Sequence, residues 1–269
     1  MKTNTKRVIN ILLTLAMMIS MITVFGNVAL AAPALGAPTV SWAGDEITFA
    51  FAAEEAVGLF ASLRALQRDD PAAEPAFIDQ YILANGDNNI KFPIDAVALK
   101  GKVLTVTLAS LAGTISGQVA VDVNKSVLQA AYDAAPTNAS IYYAPTWVPF
   151  AAAYAAAGDV LAAISSQAQV DAALAALQDA LDGLLFLVTS LKIDAPAATT
   201  VVRGGTYLFE AIAGPTPCFL DLEWKINNPA YAIVNANGTI TILNKTGTVQ
   251  LTAVDKETGI SVFIVLRIV

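Results

Sequence analysis

The hydrophobic period of this chain changes twice, and that constrains its fold more than any other feature. From about residue 38 to 122, apolar and polar residues alternate. From about 124 to 186 the apolar residues recur at helical spacing and alanine crowds the segment. From about 188 to 269 the alternation returns. A strand repeats its face every two residues and a helix every 3.6, so one layer cannot serve all three blocks. The order predicts β, α and β modules in series.

Ahead of these blocks, Lys2, Lys6 and Arg7 open a segment that is almost wholly apolar from Val8 to Phe25. It closes on Ala29-Leu30-Ala31. A basic start, an apolar run and a small-x-small site make residues 1–31 a secretory signal peptide, with cleavage expected after Ala31 or Ala32. An uncleaved anchor is the alternative, because the run approaches the shortest that spans a bilayer. The expected location is secreted or extracellular, including association with the cell surface. Cleavage removes three basic and no acidic side chains, so the net charge moves from −7 to −10. No later stretch is apolar enough to span a membrane, so membrane contact is expected only through the leader. The closing Arg267-Ile268-Val269 offers no hydrophobic anchor, and no covalent attachment is expected there.

In the helical block, Trp147, Phe150, Tyr154, Ala157, Leu161 and Ile164 advance in alternating steps of three and four, which is a seam on one helix face. Val170, Leu174, Leu177, Leu181 and Leu184 repeat it, started by a capping box of Ser166 and Gln169. A shorter first helix would use Val127, Leu128, Ala131 and Ala135 before Pro136-Thr137-Asn138 breaks it. Short links make an antiparallel three-helix bundle. Its alanines raise helix propensity and account for much of the mean hydropathy of +0.60.

Residues 124–185 resemble the FIVAR module, a three-helix unit of Gram-positive surface proteins. The resemblance rests on the lead-in Tyr142-Tyr143-Ala144-Pro145-Thr146-Trp147, on Phe150 and Val160-Leu161, and on the run from Val170 through Leu174 to Leu177. Tyr143 and Thr146 depart from the family's Thr and Ser. The last block has Arg203-Gly204-Gly205 before a strand, then Leu222-Glu223-Trp224, Asn228-Pro229, Asn237-Gly238, and Gly247 before a long alternating run. It resembles the group 2 bacterial immunoglobulin-like (BIG2) domain over residues 188–269. Trp224 is expected in the core on a central strand, and Asn237-Gly238 in a tight hairpin turn.

The first block, residues 38–122, carries no such motif. Glu46–Phe51, Val103–Leu108 and Gln118–Val123 alternate as half-buried strands. Val57, Phe60 and either Leu63 or Leu66 suggest a short helix between Glu54 and Leu66, ended by Asp69-Asp70-Pro71. Gly86-Asp87-Asn88-Asn89 reads as a turn between strands Phe77–Leu83 and Ile90–Phe92. The expectation is a β-sandwich-like N-terminal domain with an inserted helix, Ig-like or α+β.

The chain has no histidine and one cysteine, which removes Ser-His and Cys-His dyads, His metal ligands and intrachain disulfides. Its acidic balance does not suit nucleic acid. Asp45-Glu46, Glu54-Glu55 and Asp69-Asp70 are sequence neighbours, which solvate more readily than they face each other across a cleft. The Gly86–Asn89 segment lacks the spacing of a Ca²⁺ loop and its closing Glu. Cys218 reads as a small packing residue near the edge of a sandwich, with an intermolecular disulfide or a reactive thiol as the alternative. The Asn-x-Ser/Thr triplets at Asn138, Asn237 and Asn244 read as turns. Among the aromatics Trp42, Tyr142, Tyr143 and Trp147, the loop residues Tyr142 and Tyr143 are the candidates for ligand binding by stacking.

The expectation is a secreted, non-enzymatic modular protein without catalytic residues, cofactor or metal. Its role would be adhesion to cell-wall or extracellular glycans or to host or matrix proteins. Two alternatives remain. One is a structural spacer or self-assembling fibre subunit, with self-association through sandwich edges. The other is a non-catalytic accessory part of a polysaccharide-degrading system.

Overall fold

A computed structural model describes residues 32–70, 72–195 and 199–269. The predicted leader, residues 1–31, lies outside the described residues. These form two compact units. One takes in the residues up to Asp95 together with Leu104–Val119; the other takes in Ala96–Val103 and Ala120–Val269. The helices and the C-terminal strands therefore share a unit.

The first unit is a pair of antiparallel sheets. Strands β1 (Ala34–Leu35), β2 (Thr39–Ala43), β3 (Glu46–Glu54) and β6 (Gly86–Pro93) form one. In it β3 pairs with β6 along one side and with β1 and β2 along the other. Strands β4 (Phe60–Gln67), β5 (Phe77–Ile82), β7 (Val103–Ser110) and β8 (Gly113–Ala120) form the second, in the order β5-β4-β7-β8. Alternate residues are buried: Ile47, Phe49, Phe51 and Ala53 on β3, Ala61, Leu63 and Ala65 on β4, Val106 and Leu108 on β7. Two half-buried sheets cover each other's apolar faces in this way. The rings of Phe77 and Phe92 stack between them at 4.5 Å. Gly117 on β8 lies so close to β2 that a Cβ there would stand 2.5 Å from Val40 Cγ2.

The helix expected between Glu54 and Leu66 is absent. Those residues finish β3, turn, and form β4. Glu55 and Gly58 take positive φ, +50° and +79°, which breaks a helix and makes the chain cross between sheets. The burial of 61, 63 and 65 has period 2, whereas the helical spacing of Val57, Phe60 and Leu63 left Val57 and Phe60 exposed. Gly86–Asn89 is likewise part of β6, with the turn before it.

In the second unit, helices α1 (Ser126–Ala134), α2 (Ala144–Ala162) and α3 (Gln167–Asp182) form a bundle. Leu128, Phe150, Ala157, Val170, Leu177 and Leu184 make its core, with Trp147, Tyr154, Leu161, Leu174 and Leu181 half-buried around it. The expected seams hold along α2 and α3 except at one end, and on α1 Leu128 and Ala131 pack inward while Val127 is exposed. Ile164 lies two residues past the last residue of α2 and is exposed. Ser166 N–H donates to Gln169 Oε1 at 3.0 Å, closing the predicted capping box. Lys125 caps the C-terminus of α2: its Nζ donates to the carbonyls of Val160, Leu161 and Ala163 at 2.9, 3.0 and 2.6 Å. Those carbonyls have no partner within the helix, and a cation at a helix C-terminus also meets its dipole favourably.

The remaining strands form a sandwich. They are β9 (Ser190–Asp194), β10 (Thr200–Val201), β11 (Thr206–Leu208), β12 (Glu210–Gly214), β13 (Leu222–Ile226), β14 (Ala232–Val234), β15 (Thr239–Ile242), β16 (Gly247–Asp255) and β17 (Ser261–Ile268). One sheet runs β10-β17-β16-β13, a second β11-β15-β14, and β9 pairs with β12. Trp224 is buried among Phe209, Ile240, Leu251 and Leu266, as expected. Its strand β13 stands at the end of its sheet rather than in the centre. Asn237-Gly238 links β14 to β15, and Gly238 has φ +84°. A Cβ there would lie 2.2 Å from Phe209 O and 3.0 Å from the Trp224 ring, so only glycine fits.

Candidate binding surface at the helix–sandwich junction

The two tyrosines singled out by sequence sit where the bundle meets the sandwich. The short helix Ala139–Ile141 delivers Tyr142, and Tyr143 caps the N-terminus of α2. Residues 185–187 run past them and are held from both sides. Tyr143 N donates to Leu185 O at 2.8 Å, and Leu187 N donates to Ile141 O at 2.9 Å. On the far side, Phe186 N donates to Pro217 O and Phe219 N donates to Phe186 O, both at 3.0 Å. Thr146 Oγ1 adds a link, accepting from Leu185 N at 3.2 Å while donating to Tyr143 O at 2.8 Å. Backbone groups that a plain linker would leave to water are thus paired between modules.

Ring stacking follows the same line. Tyr142 lies between Trp147 and Phe186, with centroids at 5.4 and 4.7 Å. Tyr143 lies on Phe219 at 3.7 Å and 1° from parallel. The structure half-buries both tyrosines, Tyr142 in a cluster with Trp147 and Phe186, and Tyr143 paired with Phe219. Sequence reasoning missed Phe186, Pro217 and Phe219. Phe186 stands at the boundary between the helical block and the sandwich, but Pro217 and Phe219 lie in the loop between β12 and β13, and nothing in their local sequence marks them.

A recess of about 340 Å³ opens beside the cluster, lined by Pro136, Tyr142, Leu181, Asp182, Phe186 and Pro217 among others. Its lining is mostly apolar, with a single carboxylate, that of Asp182. Cys218 forms a bridge with Phe186 and is half-buried. Burial, and then the charge of Asp255, raises its thiol pKa above the ordinary value, which disfavours the reactive thiolate.

The other candidates stay apart. Glu46 pairs with Lys91 at 3.0 Å and Asp69 with Arg68 at 2.9 Å, both at the surface. Asn88 spends its carboxamide on Ala84 N, Ala84 O and Gly86 O. Among the described residues no three His, Cys, Asp or Glu side chains gather to hold a metal, and no helix is long and apolar enough to cross a membrane. Trp42 is half-buried, its indole N–H enclosed without a hydrogen-bond partner.

Among solved structures, the chain is similar to an intimin–Tir90 complex at 21% identity over 29% of this chain and 45% of that one, with a TM-score of 0.24. It is similar to invasin, described as a bacterial integrin-binding protein, at 11% identity over 88% and 38%, with a TM-score of 0.22. It is similar to the CBM51-2 and INT domains of Clostridium perfringens ZmpB at 10% identity over 82% and 72%, with a TM-score of 0.26. The chain thus spans 45% of the intimin chain's length and 38% of invasin's. No curated protein matches it. Residues 187–263 match the bacterial Ig-like domain (group 2), and this is the sandwich that follows the helices.

Proposed function

We propose that this chain is an extracellular binding protein of bacterial modules, acting in adhesion to cell-wall or extracellular glycans or to host or matrix proteins. The match of residues 187–263 to the bacterial Ig-like domain carries this reading, and the signal-like leader at 1–31 supports it. The helices α1–α3 are read as a FIVAR-like module on the motifs quoted above. Recognition would work by surface complementarity, without bond chemistry, and no catalytic residue is assigned. Of the two tyrosines, Tyr142 is the one that lines the recess, with its ring stacked against Trp147 and Phe186.

The test is saturable binding of the secreted protein to peptidoglycan, to a glycan array and to matrix proteins. Binding in one arm is expected. Absence from all three would end the adhesion reading. It would leave a spacer role, which the paired backbone and stacked rings of the junction favour, since they stiffen the join between modules.

A further inference from the structure

Strand β5 closes one side of its sheet. It pairs with β4 so that Phe60 faces Ile82, Ser62 faces Gln80 and Arg64 faces Ile78. One step further on, Leu83 N donates to Leu59 O at 2.9 Å. Antiparallel pairs alternate between those that exchange backbone hydrogen bonds and those that do not. Phe77, Asp79 and Tyr81 therefore turn their backbone groups to β4. Ile78, Gln80 and Ile82 turn theirs outward, away from the sheet.

The same three residues are exposed, Ile78 by 63% and Ile82 by 65%. Phe60 beside Ile82 is 51% exposed, and Phe60, Gln80 and Leu111 border a recess of about 290 Å³. Open edges are usually blunted by Lys, Pro or an interruption. The edge at β6 carries Lys91 and Pro93, and the edge at β1 and β2 is broken by Gly36-Ala37-Pro38. Strand β5, Phe-Ile-Asp-Gln-Tyr-Ile, has neither Lys nor Pro.

The pattern is self-complementary. Two β5 strands laid antiparallel about Gln80 set Ile78 against the partner's Ile82, Gln80 against the partner's Gln80, and Asp79 against the partner's Tyr81. No like charges meet. Every residue with outward backbone groups faces another of its kind, so each pair exchanges hydrogen bonds, while the β-branched isoleucines pair across the seam. One local bond competes: Asp79 Oδ1 accepts the Gln80 N–H at 2.8 Å and must yield on pairing, which weakens the association.

We infer that β5 is a self-recognition edge, where a second copy of this chain adds antiparallel through Ile78, Gln80 and Ile82. The axis through Gln80 is twofold, so the product is a closed pair rather than a fibre. The inference is independent of the adhesion reading, since ligand binding and self-association are measured separately.

Sedimentation equilibrium of the secreted protein up to ~1 mM tests it. A monomer–dimer equilibrium is expected, and a monomer throughout that range overturns the inference. Ile78→Lys with Ile82→Lys sets lysine against lysine twice and is expected to weaken pairing roughly tenfold or more. Ile78→Lys with Ile82→Glu sets opposite charges together and is expected to restore it. Both positions are exposed, so the melting midpoint should hold in each variant. Equal association of wild type and the double lysine variant overturns the inference, as does equal weakening by both variants.

Discussion

The ring of Tyr143, at the start of α2, lies flat on the ring of Phe219, in the segment leading to β13, with centroids 3.7 Å apart. This contact joins a helix terminus to the sandwich and stands beside a backbone ladder that runs through Phe186. Two modules tied in this way are expected to lose structure together.

The coupling can be measured. A double-mutant cycle with Tyr143→Ala and Phe219→Ala should give an interaction energy of about 0.5–1.5 kcal/mol, the usual range for an aromatic pair. Urea unfolding followed by the helical circular dichroism signal reads it. Additive effects of the two substitutions would show that the rings touch without coupling the modules.

Gly238→Ala should cost about 2 kcal/mol or more. It places a Cβ against Phe209 O and the Trp224 ring at a residue whose φ is +84°. Denaturation of the sandwich, followed by tryptophan fluorescence, checks this. Gly259→Ala is the control, because its φ is also positive, +74°, but no atom lies within 4 Å of its Cβ position. Its smaller loss would isolate the steric part.

Phe150→Ala should destabilise the bundle by about 3–5 kcal/mol, as expected for a fully buried ring. Trp147→Ala should cost less, because Trp147 keeps part of its surface in water. Thermal melts at the helical wavelength rank the two. The reverse order would place the bundle core nearer the junction than the burial pattern does.

Asp255 sets an acid limit on the sandwich. Burial raises its pKa, but hydrogen bonds from Thr258 Oγ1 and from the backbone of Asp221, Thr258 and Glu257 outweigh it and hold the carboxyl below its ordinary 3.8. With a folded pKa below the unfolded one, the stabilisation is complete above the unfolded value. It drains away as pH falls through the folded one. Stability measured from neutral pH downward should therefore drop in acid, and Asp255→Asn should flatten that drop. An unchanged acid arm in the variant would assign the loss to other carboxylates.

Local signals were legible where one residue type has one job. Ser166 and Gln169 announced the start of α3, and Asn237-Gly238 the turn between β14 and β15. The segment Glu54–Leu66 misled because Val57, Phe60 and Leu63 fit a helical face while Ala61, Leu63 and Ala65 fit a strand face. Alanine fits both. The choice fell to long-range pairing, with β4 taking Leu104–Ser110 of β7 on one side and β5 on the other.

The sequence by itself determined the periodicities, and with them the order of β, α and β blocks. Periodicity is a local property, written in residues a few positions apart. Only the tertiary structure decided that Tyr142 and Tyr143 spend ring faces on Phe186 and Phe219, and that β5 is an edge. Those facts depend on which distant segment arrives beside each residue. Spacing along a chain does not encode it, because pairing partners are chosen by the burial and hydrogen bonding of the whole fold.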